Sequence, residues 1–276
     1  MKVAIIGCGW LGKALAHALK AQSIDVLGTG QSEASVSALN ALNIDVLQLS
    51  LPLTEALSPL SLTALSQCNV WVIAITPQLR KGETNYPEKI QDIMSLATSC
   101  QVARVILVSS TAVLNGLHND IDESASLNLA APKVDILSRA EMTVITATNE
   151  HLQSAVLRLS GLVGEDRHPG RFFKLDKLYS DGLAPVNLIH QKDAVGLLVN
   201  MIQCEEISGV YHGVSMTKAS KHEFYREAAR AIGLKEPRFD LAKDSAQAKR
   251  IFGKDTQKRL NYQYQLPDLM QWLKHS

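Results

Sequence analysis

The stretch from Met1 to Gln31 constrains the fold more than any other. Lys2-Val3-Ala4-Ile5-Ile6 is a short, apolar, β-branched run of the kind that makes a buried strand, and Gly7-Cys8-Gly9-Trp10-Leu11-Gly12 follows at once. Beyond it, Leu11, Leu15, Ala18 and Leu19 share one helical face. The order is strand, glycine turn, helix. Gly7 allows a tight turn off the strand, Gly9 lets a ligand approach the backbone with no Cβ between them, and Gly12 lets the helix lie close on the sheet. Amides at a helix start attract anions, so a pyrophosphate suits this geometry. A dinucleotide site is therefore expected on Gly7, Gly9, Trp10, Leu11 and Gly12.

The pattern that follows is repeated alternation of strand and helix. Strands are expected over 24–28, 44–49, 70–75, 104–108 and 155–159, with helices over 33–42, about 85–101 and 132–148. The strands are continuous apolar runs, as in parallel sheets covered on both faces. The expected fold is α/β, a Rossmann-type doubly wound parallel sheet over residues 1–164. Residues 165–276 read as a smaller C-terminal lobe facing a substrate, with about 186–204 packing back on the sheet domain.

In such sheets ligands collect at the carboxyl ends of the strands. Thr76-Pro77 closes the strand at 70–75 and is placed in the cofactor site. The end of the second strand selects the cofactor, since an acid there bonds the ribose and a base accepts a 2′-phosphate. Here it reads Gly28-Thr29-Gly30-Gln31-Ser32-Glu33, with neither Asp nor Arg. Thr29, Gln31 and Ser32 suit a 2′-phosphate, whereas Glu33 would serve a ribose if the turn ran one or two residues longer. NAD and NADP both stay open, with the balance toward NADP.

Composition narrows the partners. With 28 basic and 27 acidic residues the formal net charge is +1, so no global field draws the chain to nucleic acid or a membrane surface. Cys8, Cys68, Cys100 and Cys204 are scattered without metal-ligand spacing, which suits free thiols in a reducing compartment and implies no metal site. No apolar run approaches the roughly 18 residues of a membrane span. A cytoplasmic protein working on a small molecule is expected.

Taken in order, Gly7-x-Gly9-x-x-Gly12, Val108-Ser109-Ser110-Thr111, Leu157-Arg158-Leu159-Ser160-Gly161-Leu162-Val163-Gly164 and Leu188-Ile189-His190-x-x-Asp193-Ala194 resemble the extended short-chain dehydrogenase/reductases of the NAD-dependent epimerase/dehydratase family. His168-Pro169-Gly170-Arg171-Phe172-Phe173 is similar to an atypical bacterial branch. The resemblance implies a Rossmann domain binding NAD or NADP, often a nucleotide-sugar substrate, and dimers formed through two helices at about 85–101 and 132–148. It also implies a catalytic Ser or Thr, matched by Ser110 with Thr111 as the alternative, and a Tyr-x-x-x-Lys on the following helix. That pair has no match. With Glu141 as the register mark, Lys133 stands for the Tyr and Leu137 for the Lys; with Lys133 as the Lys, Leu129 stands for the Tyr. No tyrosine occurs between Tyr86 and Tyr179. In the family the phenol moves the proton of a substrate hydroxyl, and a positioned acid/base is worth on the order of 10²–10⁴ in rate.

The residues leave further candidates. Lys133 would supply an ammonium where the phenol is missing, or is a solvated lysine near a helix start. His190 would reach the pocket from its strand-end loop, and Arg167 and Arg171 would grip an anionic substrate or belong to an ordinary basic loop. Asp193 suits the first turn of its helix as a structural residue. Arg158, inside an apolar strand, requires a carboxylate partner. Two functions follow: an epimerase/dehydratase-like oxidoreductase on a polar, nucleotide-linked or phosphorylated molecule, or an NAD(P)-binding sensor without turnover.

Overall fold

A computed structural model describes residues 1–174, 177–242 and 248–275. The chain opens with β1 (Lys2–Ile6), α1 (Trp10–Lys20), β2 (Asp25–Gly30), α2 (Glu33–Asn40), β3 (Asp45–Gln48), α3 (Pro59–Ser66) and β4 (Val70–Ile73). It continues through α4 (Tyr86–Ser99), β5 (Arg104–Ser110), β6 (Asn119–Ile121), α5 (Pro132–Ile145), β7 (Gln153–Leu159), β8 (Gly161–Val163), β9 (Leu178–Tyr179) and β10 (Leu188–His190). It ends with α6 (Gln191–Gln203), β11 (Gly209–Gly213), α7 (Lys221–Ala231), β12 (Arg238–Phe239), β13 (Lys249–Ile251), α8 (Lys254–Leu260) and α9 (Leu269–Leu273). These fall into two compact units, one of Met1–Ser109, Leu129–Arg158 and Leu198–Tyr211, the other of Ser110–Asn128, Leu159–Leu197 and His212–Ser276.

The first unit is built on a seven-strand sheet in the order β11-β7-β5-β4-β1-β2-β3. β1 pairs in parallel with β2 and β4, β2 with β3, and β4 with β5. The chain winds outward from β1 to β3, then crosses to β4 on the other side of β1, leaving a switch point beside β1 where a Rossmann-type sheet takes its ligand. The continuous apolar runs of the sequence lie sealed in this sheet: Val3 to Ile6, Trp71 to Ile73 and Val105 to Leu107 are all buried. On α4, Tyr86, Ile90, Ile93, Met94 and Ala97 are buried.

Some elements differ from the sequence reading. β2 runs to Gly30, two residues beyond the expected end, because its glycines are there for close packing. A Cβ on Gly28 would meet Cys8 at 3.2 Å, and one on Gly30 would meet the Ser35 hydroxyl at 2.5 Å. β5 likewise runs through Ser110. α3 has no counterpart in the expectation; Ser58 caps it and Pro59 starts it, but only Leu65 is buried, so its apolar period is faint.

The second unit holds small two-stranded parallel pairs, β10 with β8, β12 with β9 and β13 with β6. Its core gathers Val163, Leu188, Phe224, Leu269 and Leu273, with Trp272 against them. Tyr264 and Trp272 are buried in this unit. Asp193 opens α6 fully buried, and its carboxylate accepts hydrogen bonds from the Tyr262 hydroxyl at 3.0 Å and the Gln265 and Leu266 amides at 2.6 and 3.0 Å. Gly196 lies one turn on, where a Cβ would overlap the same Tyr262 hydroxyl. The structural role expected for Asp193 is thus to anchor the C-terminal segment.

Candidate functional site

In the first unit the β1–α1 turn borders a cleft of about 370 Å³. Gly7 holds φ at +89°, and a Cβ there would meet Ile75 Cγ2 at 2.7 Å, so both conformation and space require glycine. Gly12 is closely packed, its virtual Cβ 3.1 Å from Ile5. Gly9 is the opposite case. A Cβ on it would meet nothing within 4 Å, and Gly9 lines the cleft as the N-cap of α1, with no side chain capping the helix. This opening at a helix start has the form of a phosphate cradle.

The turn is tied to the tip of β2. Thr29 Oγ1 accepts a hydrogen bond from the Gly7 amide at 2.9 Å, and the Thr29 carbonyl accepts one from Cys8 N at 2.9 Å. Burial pushes the Cys8 thiol up to about 11, so it serves as a small apolar filler.

Of the residues expected to hold the cofactor, Gly7, Gly9, Thr29, Gln31, Ser32 and Thr76 line the cleft. Trp10, Leu11, Gly12 and Pro77 are not among its lining residues. Leu49 and Leu51 supply an apolar wall that sequence reasoning missed, since β3 carries no motif. Ser32 caps α2 reciprocally with Ser35, and Glu33 stands in the first turn of that helix rather than in the cleft wall. Lys89 is the charged residue of the lining, and its ammonium pairs with Glu83 at 2.6 Å.

Behind the end of β5 lies a sealed polar network. Ser109 Oγ donates to Glu141 Oε1 at 2.6 Å, while Arg158 Nη2 donates to Oε2 at 2.7 Å and Nε reaches both oxygens at 3.1 Å. Glu141 is therefore the carboxylate that Arg158 requires. Burial, then the Glu141 charge, raises the Tyr86 hydroxyl above its usual range, so that phenol stays protonated.

The remaining candidates belong mainly to the second unit. Ser110 Oγ accepts from the Ala112 amide at 3.1 Å and caps a 3₁₀ turn, Thr111–Leu114, in which Thr111 is buried. His190 is buried, its Nδ1 accepts from the Lys192 amide at 3.1 Å, and its ring meets Trp272 edge-on. Burial brings His190 down to about 4, so it is neutral at physiological pH. Arg167 and Arg171 are exposed, and Arg167 lies over the Phe172 ring. The glycine between His168 and Arg171 has a packing reason, because a Cβ on Gly170 would fall 2.3 Å from the Ala228 carbonyl. Lys133, in the first unit, is exposed in the first turn of α5.

Among the described residues, no group of three or more His, Cys, Asp or Glu side chains is arranged to hold a metal. No helix among them is long and apolar enough to cross a membrane.

Residues 1–154 match the UDP-glucose/GDP-mannose dehydrogenase family, NAD binding domain. Protein YeeZ of Escherichia coli (strain K12) is 31% identical over 269 residues, 97% of this chain and 97% of its own length. A functionally unknown conserved protein from Silicibacter pomeroyi superposes with a TM-score of 0.77 at 21% identity, covering 99% of this chain and 97% of that one. UDP-glucuronic acid 4-epimerase from Bacillus cereus, solved with NAD, superposes with a TM-score of 0.76 at 16% identity, over 100% and 99%. Through residues 1–154 the chain belongs to the UDP-glucose/GDP-mannose dehydrogenase family by its NAD-binding domain, on a Rossmann-type fold.

Proposed function

We propose that the chain is an NAD(P)-dependent, epimerase/dehydratase-like oxidoreductase of the extended short-chain kind, acting on a polar nucleotide-linked or phosphorylated small molecule. The observation that carries this reading is the cradle at Gly9, open on the cleft side and uncapped at the start of α1. Gly7, Gly9 and the α1 amides would hold the pyrophosphate, with the adenine side toward Leu49 and Leu51. Bound NAD(P) supplies the hydride chemistry. Ser110 or Thr111 would hold the reacting oxygen, and the exposed Arg167 and Arg171 would meet an anionic part of the substrate. Among the described residues no carboxylate lines the cleft, which favours NADP through Gln31 and Ser32. A cytoplasmic setting and pairing of two copies through α4 and α5 complete the proposal.

Calorimetric titration with NAD⁺, NADP⁺, NADH and NADPH tests it, with Gly9→Asp as the control. Binding of one cofactor pair that the substitution abolishes is the expected result; no binding by the unaltered chain overturns the reading. A panel of nucleotide sugars, sugar phosphates and carbonyl compounds then reads turnover.

The second reading is a cofactor-binding sensor, favoured by the lack of any tyrosine between Tyr86 and Tyr179. It predicts cofactor-dependent changes in hydrogen exchange with no turnover, and identical exchange with and without cofactor removes it.

A further inference from the structure

Among the described residues, Lys89 is the one charged side chain that lines the cleft beside the glycine turn. The rest of the lining is glycine, hydroxyl, amide and aliphatic, with the neutral Cys8 thiol. Walls of this kind leave a single positive charge to draw an anion. That charge already has a partner, because Lys89 Nζ donates to Glu83 Oε2 at 2.6 Å. The two members are unequal. The Lys89 side chain is 11% exposed and belongs to the lining, whereas the Glu83 side chain is 34% exposed and does not.

The backbone treats them differently as well. Lys89 comes from the start of α4, where its amide donates to the Asn85 carbonyl at 3.1 Å and Tyr86 and Ile90 are buried beside it in sequence. One turn on, Asp92 Oδ2 accepts from the Leu53 amide at 2.8 Å, tying the helix to the segment that carries the cleft residues Leu49 and Leu51. Glu83 instead follows a single 3₁₀ turn, Leu79–Lys81, and Gly82, whose φ is +84° and whose virtual Cβ meets nothing within 4 Å. The ammonium therefore stays at the cleft whichever partner it has, while the carboxylate has water to turn to.

We propose that Lys89 is the phosphate-binding cation of this cleft and that Glu83 is its internal competitor, holding the ammonium until a phosphate of the dinucleotide displaces it. This rests on the cofactor-binding reading above. A phosphate offers more charge and more acceptor oxygens than one carboxylate, so the exchange favours the ligand. Its cost is the strength of the Lys89–Glu83 pair, and binding is weaker by that amount. The phosphate chemistry is common to the pyrophosphate of both cofactors and the 2′-phosphate of NADP.

Calorimetric titration of the full chain with NAD⁺, NADP⁺, NADH and NADPH tests the exchange. Lys89→Met should raise Kd about 10–100-fold, the worth of a charged hydrogen bond, and Lys89→Arg should keep most of the affinity. Glu83→Gln should move the other way and lower Kd about 2–5-fold. A loss in Lys89→Met confined to NADP⁺ and NADPH assigns the lysine to the 2′-phosphate; an equal loss on all four assigns it to the pyrophosphate. A pair that only braces the loop predicts no such opposition. Lys89→Met binding like the unaltered chain, or Glu83→Gln failing to bind more tightly, overturns the proposal and leaves the cofactor reading standing. Urea denaturation checks each fold, and Glu83→Gln decides the matter alone if Lys89→Met does not fold. An unaltered chain that binds no cofactor overturns both.

Discussion

Glu141 and Arg158 form a two-pronged ion pair, 2.7 Å at its shortest, with both side chains no more than 5% exposed. It joins α5 to β7, and through the Ser109 hydroxyl it also holds the end of β5. Such a pair is a poor source of net stability but costly to break, because removing one partner leaves a bare charge in the interior.

Arg158→Met or Glu141→Leu alone should therefore lower unfolding free energy by about 3–5 kcal/mol. The double variant should lose markedly less than the sum. Urea denaturation of the four proteins measures the coupling, and simple additivity would contradict the pairing.

Gly7 and Gly9 should respond to alanine in opposite ways. Gly7→Ala forces a Cβ into Ile75 at a positive φ and should cost about 1–3 kcal/mol of stability. Gly9→Ala meets open space, so stability should stay within about 0.5 kcal/mol while cofactor affinity falls. Denaturation and calorimetry on both variants separate the roles.

His190 makes stability depend on pH. Its folded value, about 4, lies below its ordinary 6.5, so the unfolded chain binds the extra proton between them. Its contribution is complete above about 6.5 and is lost as pH falls toward about 4, with a slope of at most about 1.4 kcal/mol per pH unit. His190→Asn keeps an acceptor for the Lys192 amide without titrating, and should flatten the curve measured by denaturation from pH 4 to 7.

At the Asp193 anchor, Asp193→Ala strands the Tyr262 hydroxyl and the amides of Gln265 and Leu266. A loss of about 2–4 kcal/mol is expected. Gly196→Ala should also destabilise by driving Tyr262 from its seat. Faster proteolysis of residues 260–275 in both variants would locate the damage.

The sheet was legible because buried parallel strands announce themselves as short apolar runs, and the cradle because Gly7, Gly9 and Gly12 stand between such a strand and an amphipathic helix. The tip of the second strand, Gly28-Thr29-Gly30, was harder. Its small residues resemble a turn, and only the packing of Gly28 on Cys8 and of Gly30 on Ser35 shows why the strand needs glycine at those two positions. That Arg158 needs a partner follows from its apolar strand, yet which carboxylate answers depends on how α5 lies against β7. The pairing of β13 with β6 gave no local signal, since it joins three-residue strands some 130 residues apart, and such pairings leave no period to read.

Thr29 ties the glycine turn from both sides, through its hydroxyl to Gly7 and its carbonyl to Cys8. The loop that would wrap a pyrophosphate is thus frozen while the protein folds. A dinucleotide arriving there has little backbone entropy left to remove, and more of its contact energy appears as affinity. Thr29→Val should keep the fold but slacken that loop, so that weaker binding comes with a more unfavourable entropy rather than with lost contacts.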